Sequence, residues 1–137
     1  MDAAEEVEAL YRAYNRGEVA TVLEAMDPHI AWREAEGNPY RPASGTLIGP
    51  DAIVEELFAK LATEWDGFSV GPERFHGAGD IVVVEGRYTG VYKATGRAVD
   101  AQFCHVWRMT DGKLSAFQQY TDTGQFQQAM GTHRREG

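Results

Sequence analysis

The chain has 137 residues, enough for one domain of ordinary size and too few for two with separate cores. Apolar residues make up 43% and charged residues 25%, so a core can be buried and a disordered polymer is excluded. Thirteen Lys and Arg face 21 Asp and Glu, a net charge of −8, which argues against nucleic acid as a partner because phosphate binding needs clustered cations.

In chain order, Val7, Leu10, Tyr11 and Tyr14 fall at i, i+3, i+4 and i+7 and predict a helix that Gly17 ends. Asp2, three residues before Glu5, reads as its capping pair. Val19, Val22, Leu23 and Met26 predict a second short helix closed by Asp27-Pro28. A short strand is expected over 29–34, with Ile30, Trp32 and Glu34 on one face. The stretch 37–49 holds Pro39, Pro42, Gly45 and Gly49 and reads as a loop beside that strand. Pro50 and Asp51 open a third helix, along which Ile53, Leu57, Leu61 and Trp65 recur every fourth residue as one buried stripe.

After Asp66-Gly67 the period changes to alternation. Strands are expected at 68–77, 80–92, 98–110 and 113–122, joined by turns at Gly79-Asp80, Ala94-Thr95-Gly96 and Asp111-Gly112. A last helix near Thr123 carries Phe126 and Met130, giving one domain over 1–130 and a flexible tail over 131–137. The expected fold class is α+β: three N-terminal helices packed on a strongly curved, mainly antiparallel sheet, a cone-shaped barrel with a pocket inside. The other sheet face mixes Glu85, Arg87 and Thr89 with Tyr120 and suits a homodimer interface.

Four motifs carry a resemblance to a known family. They are Tyr14 to Glu18, Ala31 to Glu34, the Gly45 to Ala52 run, and His105-Val106-Trp107-Arg108 followed by Asp111-Gly112-Lys113. Over about residues 5–130 the chain resembles the SnoaL-like, ketosteroid isomerase-related branch of the nuclear transport factor two-like superfamily. The resemblance implies a cone-shaped α+β barrel, a deep apolar pocket and a dimer through the outer sheet face. In the isomerases a carboxylate base sits on the first strand, and an oxyanion hole is made by a Tyr on the first helix and a protonated Asp on the penultimate strand. Glu34 matches the base and His105 stands where the Asp would be, while the helix position falls near Leu10, with Tyr11 and Tyr14 the nearest phenols. That oxyanion hole is not reproduced.

The residues themselves name the same candidates. Glu34 shares its face with apolar Ile30 and Trp32, so burial would raise its pKa and fit it as a general base; an ion pair with an Arg or a rim position is the plain alternative. His105 alternates with Phe103, Trp107 and Met109 and faces the interior, as proton donor, carbonyl polariser or hydrogen-bonded core residue. The two would form an acid–base pair, or only a structural clasp. Gln119, on the face of Phe117, would orient a ligand atom or fix the His105 tautomer. Tyr14, Trp32, Tyr88, Phe103, Trp107 and Phe117 are the expected ligand-binding lining. Asp100 is expected to face solvent, or to enter the pocket where a bulge near Ala101 reverses the alternation, and Cys104 points away from His105.

Other chemistries lack their residues. Cys104 is the single cysteine, excluding an intrachain disulfide and a multi-thiolate metal site, and His29, His76, His105 and His133 have no ligand spacing, so no metal is expected. No Gly-rich phosphate loop or Gly-x-Ser-x-Gly occurs, and no cofactor is expected. No apolar run approaches the roughly 20 residues of a membrane span and no basic leader precedes Glu5, so a cytoplasmic protein with no membrane partner is expected. Two functions stay open: a small hydrophobic-molecule-binding domain acting as a cofactor-free isomerase or polyketide cyclase-like enzyme by proton transfer on a carbonyl compound, or a non-catalytic dimeric binding or partner module.

Overall fold

Helix α1 (Ala3–Asn15) starts where the Asp2 carboxylate accepts the Glu5 backbone N–H over 2.8 Å, the cap its sequence predicts. The computed structural model describes residues 2–132. Helix α2 (Val19–Glu24) follows, then strands β1 (Met26–Arg33) and β2 (Leu47–Ile48). Helices α3 (Pro50–Ile53) and α4 (Ala59–Glu64) are joined through a π-helical turn (Val54–Phe58). Four long strands complete the sheet: β3 (Trp65–Ala78), β4 (Ile81–Tyr92), β5 (Arg97–Thr110) and β6 (Lys113–Thr121). Helix α5 (Thr123–Met130) ends at Gly131 in the left-handed conformation.

The six strands lie in the order β2-β1-β6-β5-β4-β3. Every pairing is antiparallel except β1 with β6, which returns the chain's first strand beside its last. The sheet is open and curved, and the helices close its concave side, making the cone-shaped α+β fold. Val82, Val84 and Tyr88 of β4 and Phe103, His105 and Trp107 of β5 are buried in that concavity, while Arg87 and Asp100 pair outside it. The four-strand meander is thus part of a six-stranded mixed sheet.

Several element boundaries differ from those expected. The second helix stops at Glu24 and Met26 already begins β1. Pro28, which lacks an N–H, falls where the β1–β6 register shifts between Met26 and Ala31, so no ladder bond is asked of it. Glu34 lies one residue beyond β1 but keeps the buried face of Ile30 and Trp32. Within the expected loop, Leu47 and Ile48 pair with Trp32 and Ala31 as β2. Trp65 begins β3 instead of ending the third helix. Of the expected tail, Gly131 and Thr132 cap α5, their N–H groups donating to Gln128 and Gln127 carbonyls; residues 133–137 lie outside the described residues. No described helix is long and apolar enough to cross a membrane.

Candidate functional site

The helices and the concave sheet face enclose a cavity of about 750 Å³ of space not filled by atoms, part of it open to solvent. Its walls are almost wholly apolar. From β1, Trp32 stacks on Phe117 of β6 with ring centroids 3.8 Å apart, and Trp107 of β5 packs on both. From α1, Tyr14 meets Phe58, which the π-helical turn delivers to the cavity wall. Such turns widen a helix locally and recur at functional sites.

Glu34 enters this wall fully buried. Desolvation raises its carboxyl from an ordinary 4.5 to about 8, because a carboxylate there would exchange water for aromatic rings. The Trp32 indole N–H beside it opposes that rise but stands too loosely to bond, and both Trp32 Nε1 and Glu34 Oε2 are left without a hydrogen-bond partner. At neutral pH the cavity therefore holds Glu34 mostly as the neutral acid.

His105 lies in the same cavity and is neutral for the same reason: burial lowers it from 6.5 to about 3. It does not bond Glu34, so the two form no structural clasp. Instead its Nδ1 is 2.6 Å from Tyr11 Oη and its Nε2 is hydrogen-bonded to Tyr88 Oη. Trp107 Nε1 donates to Tyr11 Oη at 2.8 Å and Gln119 Nε2 donates to Tyr88 Oη at 2.9 Å. Burial pushes both phenols well above the ordinary tyrosine range. Gln119 thus reaches His105 only through Tyr88. Its Oε1 accepts from Ala35 N and Asn38 Nδ2, fastening the loop after β1 over the cavity.

Of the expected lining, Tyr14, Trp32, Tyr88, Trp107, Phe117 and Gln119 do border the cavity together with Glu34 and His105. Phe103 does not: its ring stands behind His105, stacked on it with centroids 3.9 Å apart and planes 9° apart, against Gly86 of β4. Cys104 and Asp100 lie on the opposite sheet face, where Asp100 pairs with Arg87. Among the lining residues outside that expectation, Tyr11, Asn38 and Tyr40 bring polar groups. Tyr11 sits four residues after Val7 on the buried stripe of α1, a readable signal; Asn38 and Tyr40 come from an aperiodic loop with none. Tyr40 is tied down by accepting from Trp65 Nε1 and donating to Glu64 at 2.5 Å.

The polar groups of the cavity are few and set among apolar walls, an arrangement that can orient one carbonyl and exchange one proton with it. An NTF2-like protein from Burkholderia thailandensis E264 is 37% identical, over 95% of this chain and 98% of that one, with a TM-score of 0.86. An NTF2-like protein of unknown function from Burkholderia pseudomallei K96243 is 25% identical, over 94% and 98%, at 0.82. TerC, co-crystallised with polyporic acid, is 28% identical, over 93% and 96%, at 0.77. No curated protein matches the chain. The profile of the SnoaL-like domain matches residues 7–117, most of the sequence, and the chain belongs to that family.

Proposed function

We propose that the cavity binds an apolar carbonyl compound and that the protein moves a proton on it without a cofactor, as an isomerase or cyclase. The observation that carries this reading is Glu34 Oε2, buried, unpartnered and facing an apolar cavity. The ligand-bound TerC relative adds support for a small molecule in such a cavity. Glu34 as carboxylate takes a proton from the carbon next to the carbonyl; the C–H electron pair becomes a C=C bond and the carbonyl π pair moves onto its oxygen. Returning the proton at a different carbon isomerises the compound; attack of the enolate carbon on a second carbonyl closes a ring, the π pair of that carbonyl moving onto its oxygen and the Glu34 proton passing to it. The base must be ionised, so turnover rises with pH and is half-maximal near 8.

Deuterium uptake next to the carbonyl of 1-tetralone, followed by NMR in heavy water, tests this. Exchange above the buffer rate, reduced about 100-fold or more in Glu34→Gln, is expected. Equal exchange in both proteins would leave a non-catalytic binding module as the better reading. We also infer that two copies pair through the outer sheet face, a reading supported by Tyr120, an aromatic side chain 57% exposed there.

A further inference from the structure

Three protons serve two hydrogen bonds at His105. Tyr11 and Tyr88 each bring one phenolic proton, and a neutral imidazole brings one more. Neither phenol can direct its proton elsewhere in the network. Tyr11 Oη faces the Trp107 indole N–H, which only donates. Tyr88 Oη faces Gln119 Nε2, and the orientation of that amide is settled because its Oε1 takes the Ala35 backbone N–H, another group that only donates. His105 therefore donates to one phenol and accepts from the other. One phenolic O–H is always surplus.

Both phenols border the cavity. We propose that this surplus O–H is the donor that receives a ligand carbonyl oxygen, and that His105, with both nitrogens covered, acts as a positioning residue whose tautomer selects which phenol is free. The proposal rests on the carbonyl reading above and adds the atoms that meet the oxygen. With the proton on Nε2, Tyr11 donates to Nδ1 and Tyr88 holds the surplus; with it on Nδ1, the roles reverse. The two states keep the same number of hydrogen bonds, so the network by itself favours neither on that ground. A carbonyl placed against one phenol adds a bond to one state only and selects it. Burial keeps the imidazole neutral and both phenols protonated, so the pair donates hydrogen bonds and does not serve as a base. The ligand class is an apolar ketone or quinone, whose oxygen accepts and needs no acceptor in return.

The test uses the wild-type protein with 1-tetralone and its carbonyl-free analogue tetralin. Nitrogen-15 NMR of the His105 ring at neutral pH is expected to show a neutral imidazole whose two shifts move toward a single tautomer with 1-tetralone and not with tetralin. An imidazolium, or a ring indifferent to the ketone, overturns the proposal. Tyr11→Phe with Tyr88→Phe is expected to lower the ketone-over-hydrocarbon affinity ratio about tenfold, the worth of one hydrogen bond. An unchanged ratio overturns it as well. Should the double variant not fold, the wild-type spectra decide alone. Loss of deuterium exchange with the ketone response intact would remove the proton-transfer reading and leave this one standing; exchange without any His105 response would do the opposite.

Discussion

Glu34 and His105 bury their titrating groups in one apolar cavity, and burial moves them in opposite directions. Glu34 holds its proton more tightly when folded, so stability present at low pH is lost as pH rises between about 4.5 and 8. His105 holds its proton less tightly, so stability present above 6.5 is lost as pH falls toward about 3. Between 4.5 and 6.5 the two slopes cancel. Denaturant unfolding across pH is expected to show a plateau there and a decline above 6.5 of about 1.4 kcal/mol per pH unit, the slope of one proton. Glu34→Gln removes the alkaline decline and leaves the acid one, so a wild type flat from 6.5 to 8 would contradict the buried acid. Both residues were legible in the sequence, because period-two alternation put each on an apolar strand face. The partners of His105 were not. Helix periodicity puts Tyr11 on a buried stripe, but where α1 crosses β5 depends on packing that no single segment encodes. Asn38 and Tyr40 lie in a stretch with no period, and so with no face to read.

The long strands β3 to β6 were readable within three residues at either end because glycine turns punctuate them. Asp111 and Gly112 both take positive φ, 51° and 77°, which a tight hairpin with the twist of its strands requires. The π-helical turn also left a trace. A repeat of four gains about 40° per step on a helix of 3.6 residues per turn, yet Ile53, Leu57 and Leu61 are all buried, because the wider turn absorbs that drift. Strand β2 was hidden, since two residues are too few to alternate and their pairing partner lies in β1. Gly86 on β4 shows how closely the elements approach behind the site. A Cβ there would lie 2.3 Å from the Gly71 carbonyl oxygen and 2.5 Å from the Phe103 ring, the ring that backs His105. The ladder holds the first neighbour and the imidazole stack holds the second. Gly86→Ala should therefore destabilise the fold by roughly 1–3 kcal/mol through overpacking. Thermal unfolding checks this, and an unchanged midpoint would mean that the stack yields freely.

At the scale of the whole molecule, the convex face of the sheet is the surface that the cavity chemistry does not use. It carries Arg74 and His76 against Glu85 and Arg87 against Asp100, all solvent-exposed pairs. Such pairs add little to the stability of a single chain, between about zero and 1 kcal/mol each. Their value would rise where a second copy excludes water from them, and Tyr120 beside them offers the aromatic centre around which such a contact forms. A specific dimer needs about 800 Å² from each partner. That is roughly a tenth of the 7596 Å² surface of this chain, within the reach of four long strands. Sedimentation at micromolar concentration is expected to give twice the mass of the chain, with Tyr120→Glu weakening the association tenfold or more by placing a charge at its centre. A wild type that sediments as one chain would detach the convex face from any role in self-assembly. The cavity would be untouched by that result, because every residue of the His105 network and Glu34 comes from the concave side of the same chain.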